Sequence, residues 1–252
     1  MSTTTNPTHT ASTASTDGMT ITGRPGKVGG FALVAEDLYR DIHKAIRVEL
    51  FSVTSGAGRL DPSDRAGRHA LAQHVRSVVD LLVAHAEHED GAIQPALEAS
   101  LPVLAEKVEH DHEALEARME DLVDMSLEAV DAPPVEHRGR VHHLYLELAS
   151  FTSDYLRHQD LEERVILPAL EDRLGVEAMV AIHQTIVSNI PPQEMAATLA
   201  LMLPAMNHED RVDLLGGMQA NAPAEVFEGV WTLAGSVLES SDRGKLARAL
   251  AI

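Results

Sequence analysis

The sequence predicts an all-α protein, an antiparallel four-helix bundle followed by a C-terminal helical extension. Three observations carry this. Aromatic residues make up only 3% of the chain while Ala, Leu, Val and Glu dominate, which disfavours a β-sandwich, whose strands draw on aromatic and β-branched residues. From about Phe31 onward, apolar residues recur at helical spacing. Four such stretches are joined by short connections, which favours antiparallel neighbours.

Residues 1–27 are rich in Ser and Thr and show no helical period; they read as a disordered tail that cannot bury enough apolar surface to offset its ordering entropy. The bundle is expected over 28–173. Phe31, Leu33, Val34, Leu38, Ile42, Ile46, Leu50 and Phe51 trace the face of a first helix. Gly56, Gly58 and Asp61-Pro62 mark a connection, with Asp61 as N-cap of a second helix that runs to about Glu89 and is interrupted by Gly91 and Pro95. Val103 to Leu127 supports a third helix, closed by Asp131 to Pro134. A fourth begins near Val135, turns Val141, Leu144, Leu148, Phe151 and Tyr155 inward, and stops at Gly175. Residues 174–252 hold shorter helical patterns broken at Pro191-Pro192, Pro204 to Asn207 and Asn221 to Pro223. They carry no metal-ligand spacing and read as a packing appendage or a homodimer surface.

Composition excludes several functions. A formal net charge of −19 argues against nucleic-acid partners, since phosphate contacts need a basic face. No cysteine is present, so iron–sulfur clusters, thiolate zinc sites and cysteine nucleophiles drop out, and any metal must sit on imidazole and carboxylate. With no long apolar run and no signal-peptide layout, a soluble cytoplasmic protein without membrane contact is expected. Phosphate loops, Gly-x-Ser-x-Gly and His-Glu-x-x-His are absent from the sequence.

The chemistry lies in an internal repeat. The stretch from His85 to Leu97, HAEHEDGAIQPAL, recurs as HQDLEERVILPAL from His158 to Leu170, at a constant offset of 73 (158 − 85 and 170 − 97). Six of its thirteen positions are identical and two more exchange Asp for Glu, more agreement than a shared amphipathic pattern gives. His85 and Glu89 lie one turn apart on one helix face, as do His158 and Glu162. Two buried carboxylates and two imidazoles are costly without an opposite charge, and a cation between them supplies it. His43 and His112 complete the set, each reading His-x-Ala followed by Ile or Leu. The chain thus places His, His-x-x-x-Glu, His and His-x-x-x-Glu on four successive helices. That set without sulfur suits two non-haem irons bridged by Glu89 and Glu162.

These motifs resemble the hemerythrin-like family of HHE cation-binding domains over roughly residues 30 to 173. The resemblance implies a four-helix bundle with a di-iron core and carries over His43, His85, Glu89, His112, His158 and Glu162. Hemerythrins proper use five histidines and two carboxylates; where a second histidine would follow His112 by one turn, this chain has Glu116. A carboxylate-richer site is expected to act less as a reversible oxygen carrier and more as a redox-active or sensing centre. Ferritin-type bundles use paired Glu-x-x-His elements, and Glu109-x-x-His112 fits that spacing only once.

Other residues are weighed against bland roles. His110 is about 200° around the helix from His112, so only one of them faces the metal, and the Ala-Leu register favours His112. His74 stands roughly 16 Å along the axis from His85. His88, His142 and His143 lack repeat partners. Asp90 and Glu163 recur beside the proposed ligand glutamates, where exposed positions and roles behind the ligands stay equally open. Tyr39 and Tyr155, one turn before His43 and His158, are core packing or donors or ligands to the site. Two functions follow: an oxidoreductase acting on peroxide, nitric oxide or dioxygen, with its catalytic residues and electron donor unspecified, or a non-catalytic sensor of iron or those gases signalling through the C-terminal helices. No flavin or nicotinamide fingerprint appears.

Overall fold

The computed structural model describes residues 27–28 and 31–252; the Ser/Thr-rich tail expected over 1–27 lies outside the described residues, except for Lys27. Lys27–Val28 (β1) pairs antiparallel with Phe31–Ala32 (β2). The bundle is built from α1 (Arg40–Arg59), α2 (Arg65–Ala92), a short α3 (Gln94–Ser100), α4 (Pro102–Asp131) and α5 (His137–Leu161). A π-helical turn at Glu162–Ile166 joins α5 to α6 (Leu167–Leu174). In the bundle α1 packs on α2 and α5, and α4 packs on α2 and α5, closing the four-membered ring.

Helix α1 starts later and ends later than the pattern indicates. Residues 31–38 are not helical because Asp37 Oδ1 accepts the Tyr39 and Arg40 amides at 3.1 and 2.9 Å, fixing the helix start there. The preceding arm is tied instead to α6, whose Glu171 Oε2 accepts the amides of Ala35 and Glu36 at 2.8 and 3.1 Å. At the other end, α1 runs through Gly56 and Gly58. A Cβ on Gly58 would stand 3.0 Å from the Tyr145 ring, so this glycine serves close packing of α1 on α5. Asp61 is not the N-cap of α2: it accepts the Ser63 amide at 2.9 Å in a local turn, and the helix starts after Asp64.

The repeated prolines have different outcomes. Near Pro95 the helix breaks at Ile93, whereas near Pro168 it continues through the π turn, in which the Leu167 amide reaches back to the Glu162 carbonyl. Proline lacks an amide donor, and a widened turn is one way to keep the helix going. Gly175, with φ +86° and ψ 164°, ends α6 in a conformation open essentially to glycine.

The C-terminal helices are α7 (Val176–Asn189), α8 (Pro192–Ala205), α9 (His208–Asn221), α10 (Ala224–Val237) and α11 (Ser240–Ala249). Helices α8 to α11 bury a core of their own around Leu199, Leu203, Leu215, Ala234 and Leu246, whereas α7 joins the bundle-side core through Met179. Helix α7 packs on α2 and α6, and α8 on α1. No helix among the described residues is long and apolar enough to cross a membrane.

Candidate metal centre

Two apolar layers enclose the bundle interior: one around Ile46, Leu82, Leu115, Leu144 and Phe151, the other around Ile93, Leu97, Val108, Ile166 and Leu170. His43 from α1, His85 and Glu89 from α2, His112 from α4, His158 from α5 and Glu162 from the π turn are all buried. The structure brings these six sequence-derived residues together in two overlapping groups that could hold a metal ion, Glu89–His112–His158–Glu162 and His43–His85–Glu89.

The histidines meet in pairs. His43 Nε2 lies 3.1 Å from His85 Nε2, and His112 Nε2 lies 3.2 Å from His158 Nε2. Each glutamate divides its oxygens between the pairs. Glu89 sets one oxygen 3.2 Å from His85 and the other 3.3 Å from His112; Glu162 sets one 3.0 Å from His158 and the other 3.5 Å from His43. Among the described residues, none of the four buried carboxylate oxygens finds a well-formed hydrogen bond. His43 Nδ1 meets Glu163 at 2.9 Å and His112 Nδ1 meets Asp90 at 3.0 Å. An ionised carboxylate only accepts, so each Nδ1 donates and, in the neutral ring, leaves a lone pair on Nε2. Lone pairs and orphaned oxygens converging in a buried layer fit a cation, because without one each would carry its full desolvation cost.

Charges follow the burial. Burial pulls His85 and His158 down to about 4, so both are neutral and free to donate at pH 7. Burial pushes Glu162 up to about 8. It also pulls on His112, but the Glu89 carboxylate beside it, helped by Asp90 and Glu162, wins and raises it to about 9. Burial opposes ionisation of Glu163, yet hydrogen bonds from His43 and Arg47 hold it at about 2. At pH 7 the metal-free cluster therefore keeps protons on His112 and Glu162 that a metal must displace. Uptake of zinc or cobalt(II) is expected to release about two protons per chain near pH 7, with affinity rising between pH 6 and 8 and flattening above about 9. Calorimetric titration in buffers of different ionisation enthalpy reads this; pH-independent affinity would contradict it.

The remaining sequence candidates fall elsewhere. Glu116 is exposed, because the inward stripe of α4 runs through His112, Leu115 and Met119; it stands outside the cluster and is no ligand in this arrangement. His110 is likewise exposed. Tyr39 stacks on the His43 ring at 4.8 Å between centroids, and Tyr155 meets His158 edge-on at 5.9 Å. Burial pushes both phenols well above their ordinary value, so neither is a phenolate in the metal-free site. His74 pairs with Glu49 and His88 with Glu194. Sequence reasoning missed Arg47, which clamps Glu163 with bonds of 2.7 and 3.0 Å; its place one turn after His43 is the signal that was there.

Gln159, beside His158, is wholly buried with both amide atoms unpartnered among the described residues. Its counterpart in the repeat is Ala86. Gln159→Met is expected to raise metal-free stability by about 1 kcal/mol by removing the orphaned amide, measured by urea unfolding; a loss of stability would contradict it. A cleft of about 1630 Å³ between α1, the arm and the C-terminal helices is lined by Arg47 and Glu163 but by none of the six clustered residues.

A four-helix bundle carrying a buried layer of imidazole and carboxylate defines a helical cation-binding domain. Residues 34–170 match the Hemerythrin HHE cation binding domain, and the chain belongs to that family. No curated protein and no solved structure matches it.

Proposed function

We propose that the bundle holds two non-haem irons and acts as an oxidoreductase on a small oxidant or gas, with hydrogen peroxide ahead of nitric oxide and dioxygen. The crosswise division of each glutamate between the two histidine pairs carries this reading. His43 and His85 with Glu89 would hold one ion, and His112 and His158 with Glu89 and Glu162 the other. The donor set of nitrogen and oxygen without sulfur suits iron. When bound, two irons supply redox chemistry and Lewis acidity to a small molecule.

The chain's residues position that chemistry. Apolar layers on both sides restrict water, and the most accessible of the six, His85, is only 8% exposed, which limits entry to small species. Peroxide takes first place because it serves as both oxidant and reductant, and the sequence offers no flavin or nicotinamide fingerprint. The test is turnover of peroxide and of nitric oxide by the iron-loaded chain beside a His85→Ala, His158→Ala variant. Turnover lost in the variant supports the reading; an inert iron-loaded wild type would overturn it.

One observation favours a sensing role as the second reading. The C-terminal helices grip residues adjacent to the proposed ligands: Asp210 of α9 takes Lys44, next to His43, and Glu194 of α8 takes His88, next to Glu89. Hydrogen exchange in α8 and α9 that changes on iron loading would support signalling through these helices; unchanged exchange would remove it.

A further inference from the structure

The six clustered residues repeat between the two halves of the bundle, and so do the carboxylates Glu163 and Asp90 behind His43 and His112, but the surroundings of those two carboxylates do not. The wholly buried His43 ring stacks on Tyr39, and its Nδ1 is held by Glu163, itself fixed by two hydrogen bonds from Arg47. In the other half, His112 Nδ1 is held by Asp90, whose side chain is 50% exposed and has no ion pair with Lys or Arg among the described residues. His158 Nδ1 has no hydrogen-bond partner among the described residues, and its repeat counterpart His85 is hydrogen-bonded only through Nε2, so the halves differ at His43 and His112. The carboxylate nearest His158 Nδ1 is Asp111 at 3.9 Å, which is engaged by Lys107.

We propose that Glu163 and Asp90 are positioning residues for separate metal positions, and that the His43/His85 position is the tighter one and fills first. A carboxylate on the far nitrogen of a ligand histidine fixes its tautomer and ring orientation and raises its basicity, and losing it typically costs 10- to 100-fold in metal affinity. Glu163 does this from a clamped position, since the fork of Arg47 prevents it from swinging away. Asp90 does it from the water boundary, where its charge is screened and its side chain is free to move. Rigidity therefore favours the first position, while the extra negative charge of Asp90 is spent largely on solvent. This inference rests on the two-metal reading.

The test titrates the full-length metal-free chain with cobalt(II), following its visible bands and the hyperfine-shifted, exchangeable imidazole N–H proton resonances. Wild type should take up two resolved equivalents, with a slowly exchanging N–H from His43 appearing with the first. Glu163→Gln should weaken the first equivalent by roughly 10- to 100-fold and speed exchange of that resonance; Arg47→Met should do the same to a smaller extent. Asp90→Asn, a change at a half-exposed side chain, should weaken the second equivalent alone, which keeps the test decisive even where Glu163→Gln folds poorly. The proposal is overturned if Asp90→Asn and Glu163→Gln weaken the same equivalent, if neither changes affinity, or if wild type fills both positions in one step. Uptake of fewer than two equivalents by wild type would instead overturn the two-metal reading itself.

Discussion

Replacing His85 and His158 together by alanine is expected to take bound iron from about two per chain to near zero while leaving the bundle helical. Each histidine belongs to a different Nε2 pair, so the double change removes one of the two imidazoles from both proposed positions. What remains is His43 with Glu89 at one position and His112 with Glu89 and Glu162 at the other, sets that would hold a divalent ion far less well. The fold does not depend on these rings, because the apolar layers on either side, from Phe151 and Leu82 on one to Leu170 and Ile166 on the other, are complete without them. Elemental analysis by mass spectrometry with circular dichroism checks both halves of the claim; iron retained at the wild-type level would sink the ligand assignment.

Metal removal gives the second large effect. In the metal-free state the four oxygens of Glu89 and Glu162 are buried without a proper hydrogen bond among the described residues, and Glu162 itself and the neighbouring His112 hold protons near pH 7. A ligand that binds only the folded chain stabilises it by about 4 kcal/mol at a free concentration a thousand times its Kd. For a chain of this size that corresponds to a melting temperature about 8–16 °C higher. The shift belongs to the bundle, since helices α8 to α11 have a separate core. Calorimetric scans of metal-free and zinc- or iron-loaded protein read it directly, and an unchanged bundle transition would count against metal as the group that satisfies these residues.

The placement of the six clustered residues was legible in the sequence for a local reason. Positions i and i+4 share a helix face whatever the helix packs against, so His85–Glu89 and His158–Glu162 declared themselves, and the 73-residue repeat made coincidence a poor account. The groups behind them were not legible. Asp90 and Glu163 point away from the histidine of their own repeat, as the helical period requires, and each reaches a histidine on another helix; only the packing of the bundle decides that. Glu116 misled because a residue one turn past His112 has the right spacing, yet the stripe through Leu115 and Met119 turns it outward. Phe31 to Leu38 has helical spacing as well, but Asp37 caps the helix start and Glu171 captures the arm. The π turn was hidden too, since Pro95 and Pro168 look alike in sequence and produce a break in one half and a widened turn in the other.

X-ray absorption at the iron edge of the iron-loaded full chain tests the two-metal account most directly. The account predicts two irons per chain, a first shell of nitrogen and oxygen without sulfur, and an iron neighbour within about 4 Å. A single isolated iron, or no stoichiometric iron at all, would contradict it.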